Sequence, residues 1–172
     1  SDQLISVVNA LGATRNYTYN ESGKVTQLTD FDGYNVSLSY NELGRIAEYV
    51  DKEGNKLTYA YDKMWNIASQ IAPDGGKTEF TYDTDNRMTA TLLPMGGEIS
   101  FAYDAVGNRI SMTDAEGNIT RYQYDAENRM IGQVESTGAK TTYEYDRDGN
   151  MVKVVDALGN DIRYEYDDLG RR

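Results

Sequence analysis

Residues 114–125 read Asp-Ala-Glu-Gly-Asn-Ile-Thr-Arg-Tyr-Gln-Tyr-Asp, and this stretch decides the fold because its pattern returns along the whole chain. Its second tyrosine belongs to a series with a constant spacing of 21 residues. The members of the series are Tyr19, Tyr40, Tyr61, Tyr82, Tyr103, Tyr124, Tyr145 and Tyr166. Each is followed by Asp or Asn and is preceded, two residues earlier, by a large apolar residue. A fixed period of this length predicts a repeat architecture.

A series of glycines has the same spacing and alternates with the tyrosines. Its members are Gly12, Gly33, Gly54, Gly75, Gly96, Gly117, Gly138 and Gly159. Asp, Asn or Glu usually stands three residues before each glycine, and the same D-x-x-G form follows each tyrosine. Asp or Asn at the first corner of a turn accepts backbone amides, and Gly at the fourth position tolerates positive φ. Each repeat therefore has two predicted hairpin turns, a glycine turn and a tyrosine turn.

The exceptions to this pattern mostly agree with the same turn geometry. Pro73 and Pro94 stand at the second corner of glycine turns, where φ near −65° is wanted. Asn86 and Asn128 replace Gly in tyrosine turns, and Asn tolerates the left-handed region better than most residues. Trp65 replaces Gly in a third. We expect Trp65 to be strained, or its turn to be built differently.

The segments between turns are predicted to be short strands. Val36, Leu38 and Tyr40 alternate with small polar residues, and this period of two indicates a half-buried strand. The return segment, such as residues 46–50, is apolar at its first and fifth positions, which we expect on one face. Arg109 breaks this rule. No segment has a period of 3.6 residues, so essentially no helix is expected.

The predicted fold is all-β. Two strands in each of about eight repeats give an antiparallel meander of 21-residue β-hairpins, forming a long curved sheet with its aromatic face inward and hidden. A flattened β-solenoid is the alternative, because its coils also need two turns each. It would stack its strands in parallel and place two tyrosines inside every narrow coil.

Composition excludes several classes of function. The chain has no Cys and no His, which removes disulfides, thiolate metal sites and the usual general base. A net charge of −11 argues against nucleic acid, and no apolar run is long enough for a membrane span. Residues 146–150 superficially resemble the start of an EF-hand, but the later bidentate acid is missing, so turn capping is the better interpretation. We predict no cofactor, no metal and no enzymatic activity.

The stretches 124–129 (Tyr-Asp-Ala-Glu-Asn-Arg) and 145–150 (Tyr-Asp-Arg-Asp-Gly-Asn) resemble the tyrosine–aspartate (YD) repeat of the Rhs family. The resemblance covers residues 1–172 as one array of about eight repeats and implies a segment excised from a longer protein. It implies a secreted or cell-surface bacterial protein, with relatives in insecticidal toxin complexes and teneurins. In that family the repeats form a β-sheet strip that spirals into a hollow shell, which in polymorphic toxins encloses a C-terminal toxin. The expected partners are flanking regions of the parent chain and such a toxin. The Asp-Pro motif of the family's autoproteolytic core has no counterpart here.

The first functional hypothesis is therefore a structural segment that scaffolds or encapsulates another part of its protein. The alternative is an extracellular module that binds carbohydrate or protein. Tyrosines at regular positions are better interpreted as packing residues than as a sugar platform. Trp65, Tyr34 and Tyr49 break the pattern and are the candidates for an exposed contact, including a glycan. Self-association through the sheet edges is also expected.

Overall fold

The computed structural model describes residues 3–167 and 169–172, and within them it contains sixteen β-strands and no helix. In chain order the strands are β1 Ser6–Val8, β2 Thr14–Tyr19, β3 Val25–Thr29, β4 Asn35–Tyr40, β5 Ile46–Val50, β6 Lys56–Tyr61, β7 Ile67–Ile71, β8 Lys77–Tyr82, β9 Met88–Leu92, β10 Glu98–Tyr103, β11 Arg109–Thr113, β12 Ile119–Tyr124, β13 Met130–Val134, β14 Lys140–Tyr145, β15 Met151–Val155 and β16 Asp161–Arg163. No described helix could therefore cross a membrane.

The strands follow one another in the sheet in the order of the sequence, from β1 to β16. Every neighbouring pair whose register is described is antiparallel; for example, Leu38 of β4 lies opposite Tyr49 of β5. The all-β antiparallel meander is thus confirmed. The flattened β-solenoid is excluded because it requires parallel stacking of successive coils.

The chain divides into two compact units. The first comprises Ser1–Asn86 and Leu93–Met95, and it carries β1 to β8. The second comprises Arg87–Leu92 and Gly96–Arg172, and it carries β9 to β16. Within each unit the hairpins repeat with the same geometry, so one hairpin of each kind describes the rest.

The glycine turns all have the conformation that their sequence predicts. The eight glycines of the series have φ between 83° and 88°. In the turn at 114–118, the amide of Gly117 donates to the carbonyl of Asp114 (3.0 Å), and the amide of Asp114 donates to the carbonyl of Asn118 (3.0 Å). A left-handed residue in this place closes a three-residue hairpin loop.

Trp65 occupies the same left-handed position in its tyrosine turn, with φ of 71°. Its amide donates to the carbonyl of Asp62 (3.1 Å), as the glycine amide does in the sister turns. The expectation that this turn is built differently is therefore wrong. The strain expected of a bulky side chain at positive φ is instead present in the backbone.

A register shift marks every tyrosine hairpin whose pairing is described. Tyr40 lies opposite Ile46, but the preceding residue of its strand, Ser39, lies opposite Glu48. Ala47 is thus an extra residue, as in a β-bulge, and it reverses the alternation of faces along the return strand.

The bulge corrects the expected facing of the return strand. Its first and fourth residues share the face of the tyrosines, because Ile46 lies opposite Tyr40 and Tyr49 lies opposite Leu38. The fifth residue, Val50, lies opposite Ser37 on the other face. We call the two sides the tyrosine face and the polar face. The expectation that first and fifth positions share a face is wrong, since it assumed an uninterrupted strand.

Neither face is covered by another layer of the described chain. The eight tyrosines are half-buried, and no hydrophobic side chain among the described residues is fully buried. The expectation that the aromatic face is hidden is therefore not met within these residues, because a single-layer sheet has nothing to pack against. The polar face carries cross-strand ion pairs such as Lys153 with Glu144 (2.8 Å) and Lys56 with Glu48.

Candidate functional site: the tyrosine face and its turns

The phenol of each repeat tyrosine is bonded to the hairpin before it. The hydroxyl of Tyr61, for example, donates to the carbonyl oxygen of Ile46 (2.8 Å), which is the first residue of the preceding return strand. The acceptor lies 15 residues earlier in all eight cases, at distances of 2.7 to 3.1 Å. The acceptors are Leu4, Val25, Ile46, Ile67, Met88, Arg109, Met130 and Met151.

In the tyrosine hairpins whose pairing is described, the acceptor carbonyl lies beside the bulge, where the ladder of backbone hydrogen bonds is locally disrupted. The tyrosine adds a side-chain donor to this carbonyl, and at the same time it joins two successive tyrosine hairpins. Partial burial raises the pKa of the Tyr82 and Tyr124 phenols, so both remain protonated donors at neutral pH. We call this hydrogen bond the tyrosine latch.

The aspartates at the first corner of the turns cap them. Asp114 Oδ1 accepts the amides of Glu116 (3.0 Å) and Asn118 (2.8 Å), and its Oδ2 accepts the Asn118 side-chain amide (2.9 Å). The Asn118 side chain, followed by its backbone amide, holds the pKa of Asp114 below the ordinary value of 3.8. Asp146 binds Asn150 in the same way, and this side-chain hydrogen bond lowers the pKa of Asp146 too. Turn capping therefore accounts for Asp146, the first carboxylate of the sequence that resembles an EF-hand.

In several hairpins the residue after the tyrosine turn joins that turn to the next one. In the first unit, Asn66 Nδ2 donates to Asn86 Oδ1 (2.9 Å). In the second unit, Asn108 Nδ2 donates to Asn128 Oδ1 (2.9 Å). Where Arg replaces Asn, the longer side chain reaches further. The Arg129 Nη1 group donates to the carbonyl of Asp146 (3.2 Å), and its guanidinium lies 4.9 Å from the centre of the Tyr145 ring.

The three candidates for an exposed contact have different surroundings. Trp65, within its turn, is 42% exposed, and Tyr34, beside another turn, is 51% exposed. The Arg45 guanidinium lies 5.5 Å from the Trp65 ring, and the Lys52 ammonium lies 4.9 Å from the Tyr34 ring. Tyr49 is half-buried on the tyrosine face. It lines a shallow depression of about 250 Å³ together with Ile46, Tyr59, Tyr61 and Ile67.

The three residues do not form one site: Trp65 lies in one turn, Tyr34 lies beside another, and Tyr49 belongs to the regular face. The tyrosine latch was not predicted from the sequence. The signal was present in the constant spacing between each tyrosine and the first residue of the preceding return strand. Among the described residues no group of three or more acids is arranged to hold a metal ion.

Two family comparisons match this chain. The Teneurin YD-shell family matches residues 3–117. The RHS Repeat family matches residues 103–140, 131–161 and 145–172. The chain belongs to the Rhs/YD-repeat family. This family is a structural shell and repeat fold. No curated protein sequence matches this YD-repeat chain.

Solved structures with the same fold come from toxin complexes. A TcdB2-TccC3 complex without its hypervariable C-terminal region is 17% identical, with a TM-score of 0.78 over 93% of the YD-repeat chain. The Tc holotoxin pore of Photorhabdus luminescens is 18% identical, with a TM-score of 0.71 over 83%. A TcdB2-TccC3-Cdc42 structure is 16% identical, with a TM-score of 0.70 over 96%. The chain spans 9%, 10% and 12% of the matched holotoxin, truncated and Cdc42 chains, respectively.

Proposed function

We propose that this chain is a wall segment of a β-sheet shell that encloses another part of its own protein, such as a C-terminal toxin. The observation that carries the proposal is the tyrosine latch, because every repeat tyrosine is used to hold one hairpin to the next. A tyrosine that stands at the same position in every repeat and donates to a backbone carbonyl of the same chain has a structural role in the sheet. The likeness to chains of Tc toxin complexes supports the same role.

The proposal includes the setting of the protein. The 172 residues are taken as one array within a longer bacterial chain that is secreted or displayed at the cell surface. The flanking regions of that chain are its first partners, and the enclosed polypeptide is the second. The wall acts by confinement and performs no chemistry, which agrees with carboxylates that are engaged in capping turns.

Protection from protease tests this function in the complete protein that carries the segment. The enclosed polypeptide is expected to resist proteolysis while the wall is intact. Replacing Tyr103 and Tyr124 by Ala removes two latches and is expected to expose it. Replacing the exposed turn residues Glu116 and Thr137 by Ala is the control. Equal cleavage rates in the intact protein and in the latch variant would contradict encapsulation.

A second candidate function is a binding module for carbohydrate or protein, and it rests on Trp65. This side chain is exposed and stands at positive φ, where five sister turns have Gly and two have Asn. Strained residues often mark contact sites. Binding to a glycan array that is lost in Trp65→Ala and kept in Tyr34→Ala would favour this function. An array without any binding would remove it.

Self-association through the sheet edges stays a prediction. In this structure β1 and β16 are the terminal strands of the sheet and pair on one side only. Unpaired strand edges are templates for another strand. Light scattering over a range of concentrations tests this: a strictly monomeric chain at high concentration would contradict it.

A further inference from the structure

One position of the tyrosine face carries a charge that its place in the repeat does not explain. The first residue of the return strand is aliphatic or Met in the six other tyrosine hairpins whose return strand is described. Those residues are Val25, Ile46, Ile67, Met88, Met130 and Met151. In the hairpin that follows Tyr103 this residue is Arg109, and it lies opposite Tyr103 on the tyrosine face.

Arg109 is held between two aromatic rings. Its guanidinium carbon lies 4.9 Å from the centre of the Tyr122 ring and 5.7 Å from the centre of the Phe101 ring. Its backbone carbonyl still accepts the latch of Tyr124 (3.0 Å), so the changed side chain leaves the hairpin geometry intact. Two rings restrict a planar guanidinium to few orientations, which reduces the ordering cost of binding a ligand.

Within residues 3–167 and 169–172, the Arg109 side chain makes no hydrogen bond and no ion pair. Several charges on the polar face are paired, as Lys153 is with Glu144 (2.8 Å) and Lys77 is with Glu79. The Arg109 donors are therefore free on a face that is otherwise apolar and aromatic around it. A guanidinium offers five N–H donors in a fixed plane that matches both oxygens of a carboxylate.

We propose that Arg109 is a carboxylate-binding site on the tyrosine face, and that it receives an extended polypeptide segment with one Asp or Glu among apolar side chains. The cation selects the acid. The apolar part fits Phe101, Met112 and Tyr122, which lie on the same face. These residues follow their strands at two-residue intervals, the spacing at which an extended chain also presents alternate side chains. The proposal goes beyond the wall function, because a wall can enclose a polypeptide without recognising any group on it.

Two capped pentapeptides test the proposal on the intact 172-residue chain. One has the sequence Leu-Thr-Glu-Thr-Leu, and the other has Gln in place of Glu. Nitrogen-15 NMR of the arginine Nε–H groups follows the titration. The Glu peptide is expected to shift the Arg109 signal and to bind about tenfold more tightly than the Gln peptide, since a bidentate charged pair is the stronger contact.

Matched variants test whether the preference for the Glu peptide depends on Arg109. Arg109→Met installs the residue of the neighbouring hairpin and is expected to abolish the preference for Glu. Arg109→Lys keeps the charge without the planar fork and is expected to retain only part of it. Arg121→Met is the control, because Arg121 lies opposite Ser111 on the polar face. An unchanged urea midpoint shows that each variant folds. If Arg109→Met is destabilised, the test of the preference for Glu rests on Arg109→Lys.

Equal binding of the two peptides, no binding at millimolar concentration, or loss of the preference in Arg121→Met would overturn the proposal. None of these results bears on encapsulation, which is read from protease protection. Loss of protection with an intact preference for the Glu peptide would overturn the wall function alone.

Discussion

The hydroxyl of Tyr103 donates a hydrogen bond to the carbonyl oxygen of Met88, which lies 2.8 Å away and 15 residues earlier in the chain. The bond joins the last residue of β10 to the first residue of β9. The acceptor is the first residue of a return strand, which is the place of the bulge in the tyrosine hairpins whose pairing is described. The latch is thus a long-range contact that each repeat makes with its predecessor.

Removing one latch hydroxyl should lower stability measurably. Tyr103→Phe is expected to cost about 0.5–1.5 kcal/mol, the usual net value of one hydrogen bond. Urea unfolding followed by circular dichroism gives the measurement. Tyr122→Phe is the matched control, since the described residues offer its hydroxyl no partner. Equal loss in both variants would show that the latch adds nothing to ring packing.

A β-branched residue at a left-handed turn position should also be costly. Gly117 has φ of 85°, and an added Cβ would meet no atom within 4 Å. The expected loss for Gly117→Val, about 1–3 kcal/mol, is therefore conformational and not steric crowding with other residues. Its thermal melting curve is compared with that of Glu116→Val in the same turn. An unchanged curve would refute the turn assignment.

Replacing Trp65 by Gly should have the opposite effect on stability. Its left-handed backbone costs about 1–2 kcal/mol. The stacking of Arg45 on its ring returns about 0.5–1 kcal/mol at an exposed site. Trp65→Gly is therefore expected to unfold at the same or a higher urea concentration than the parent chain.

The reverse change serves as the control for Trp65. Gly149 stands at the same turn position with φ of 89°. Gly149→Trp introduces the same strain beside Arg129, which stands where Arg45 stands relative to Trp65, and is expected to destabilise by up to about 1–2 kcal/mol. If Trp65→Gly were the more destabilising of the two, side-chain contacts and not backbone strain would dominate at residue 65.

Acid should weaken the turns that carry aspartate. The Asn118 side chain and backbone hold the folded-state pKa of Asp114 below 3.8. A lowered pKa contributes stability above the unfolded value, and this contribution is lost as the pH falls through the folded value. The urea midpoint is therefore expected to be flat near neutral pH and to fall below about pH 4.

Asp114→Asn isolates this effect at one turn. An Asn side chain still presents Oδ1 to the backbone amides, as Asn9 does to Leu11 (2.9 Å) and Ala13 (3.0 Å). The variant is expected to fold at neutral pH and to show a smaller loss of stability in acid. A pH profile identical to that of the parent chain would show that Asp114 does not contribute.

The sequence was sufficient for the strands and turns because each rests on local chemistry. Gly at positive φ, Asp or Asn at the first corner and alternating residues before Tyr40 all act within a few residues. The facing of Tyr49 could not be read in the same way. One extra residue, Ala47, reverses the alternation after it, and no residue type in the return strand marks that bulge.

The candidate contact residues were harder to predict than the fold. Trp65 and Tyr34 were recognised as departures from the repeat, and the structure leaves both exposed. Tyr49 was chosen for the same reason, but the bulge places it opposite Leu38 on the tyrosine face, where it is half-buried. Arg109 was noticed as an exception, but its two stacked rings come from neighbouring strands. Such cross-strand geometry depends on register, which a single sequence does not specify.

The constant separation between each phenol and its acceptor has a consequence for how such a chain can change length. Every hydrogen bond of this kind begins and ends within adjoining hairpins, so a whole unit of 21 residues can be gained or lost while each remaining tyrosine keeps an equivalent acceptor. An insertion of one or two residues has no such freedom, since it would displace the phenol from its carbonyl. Duplication and deletion of entire units are therefore the changes in length that this architecture tolerates.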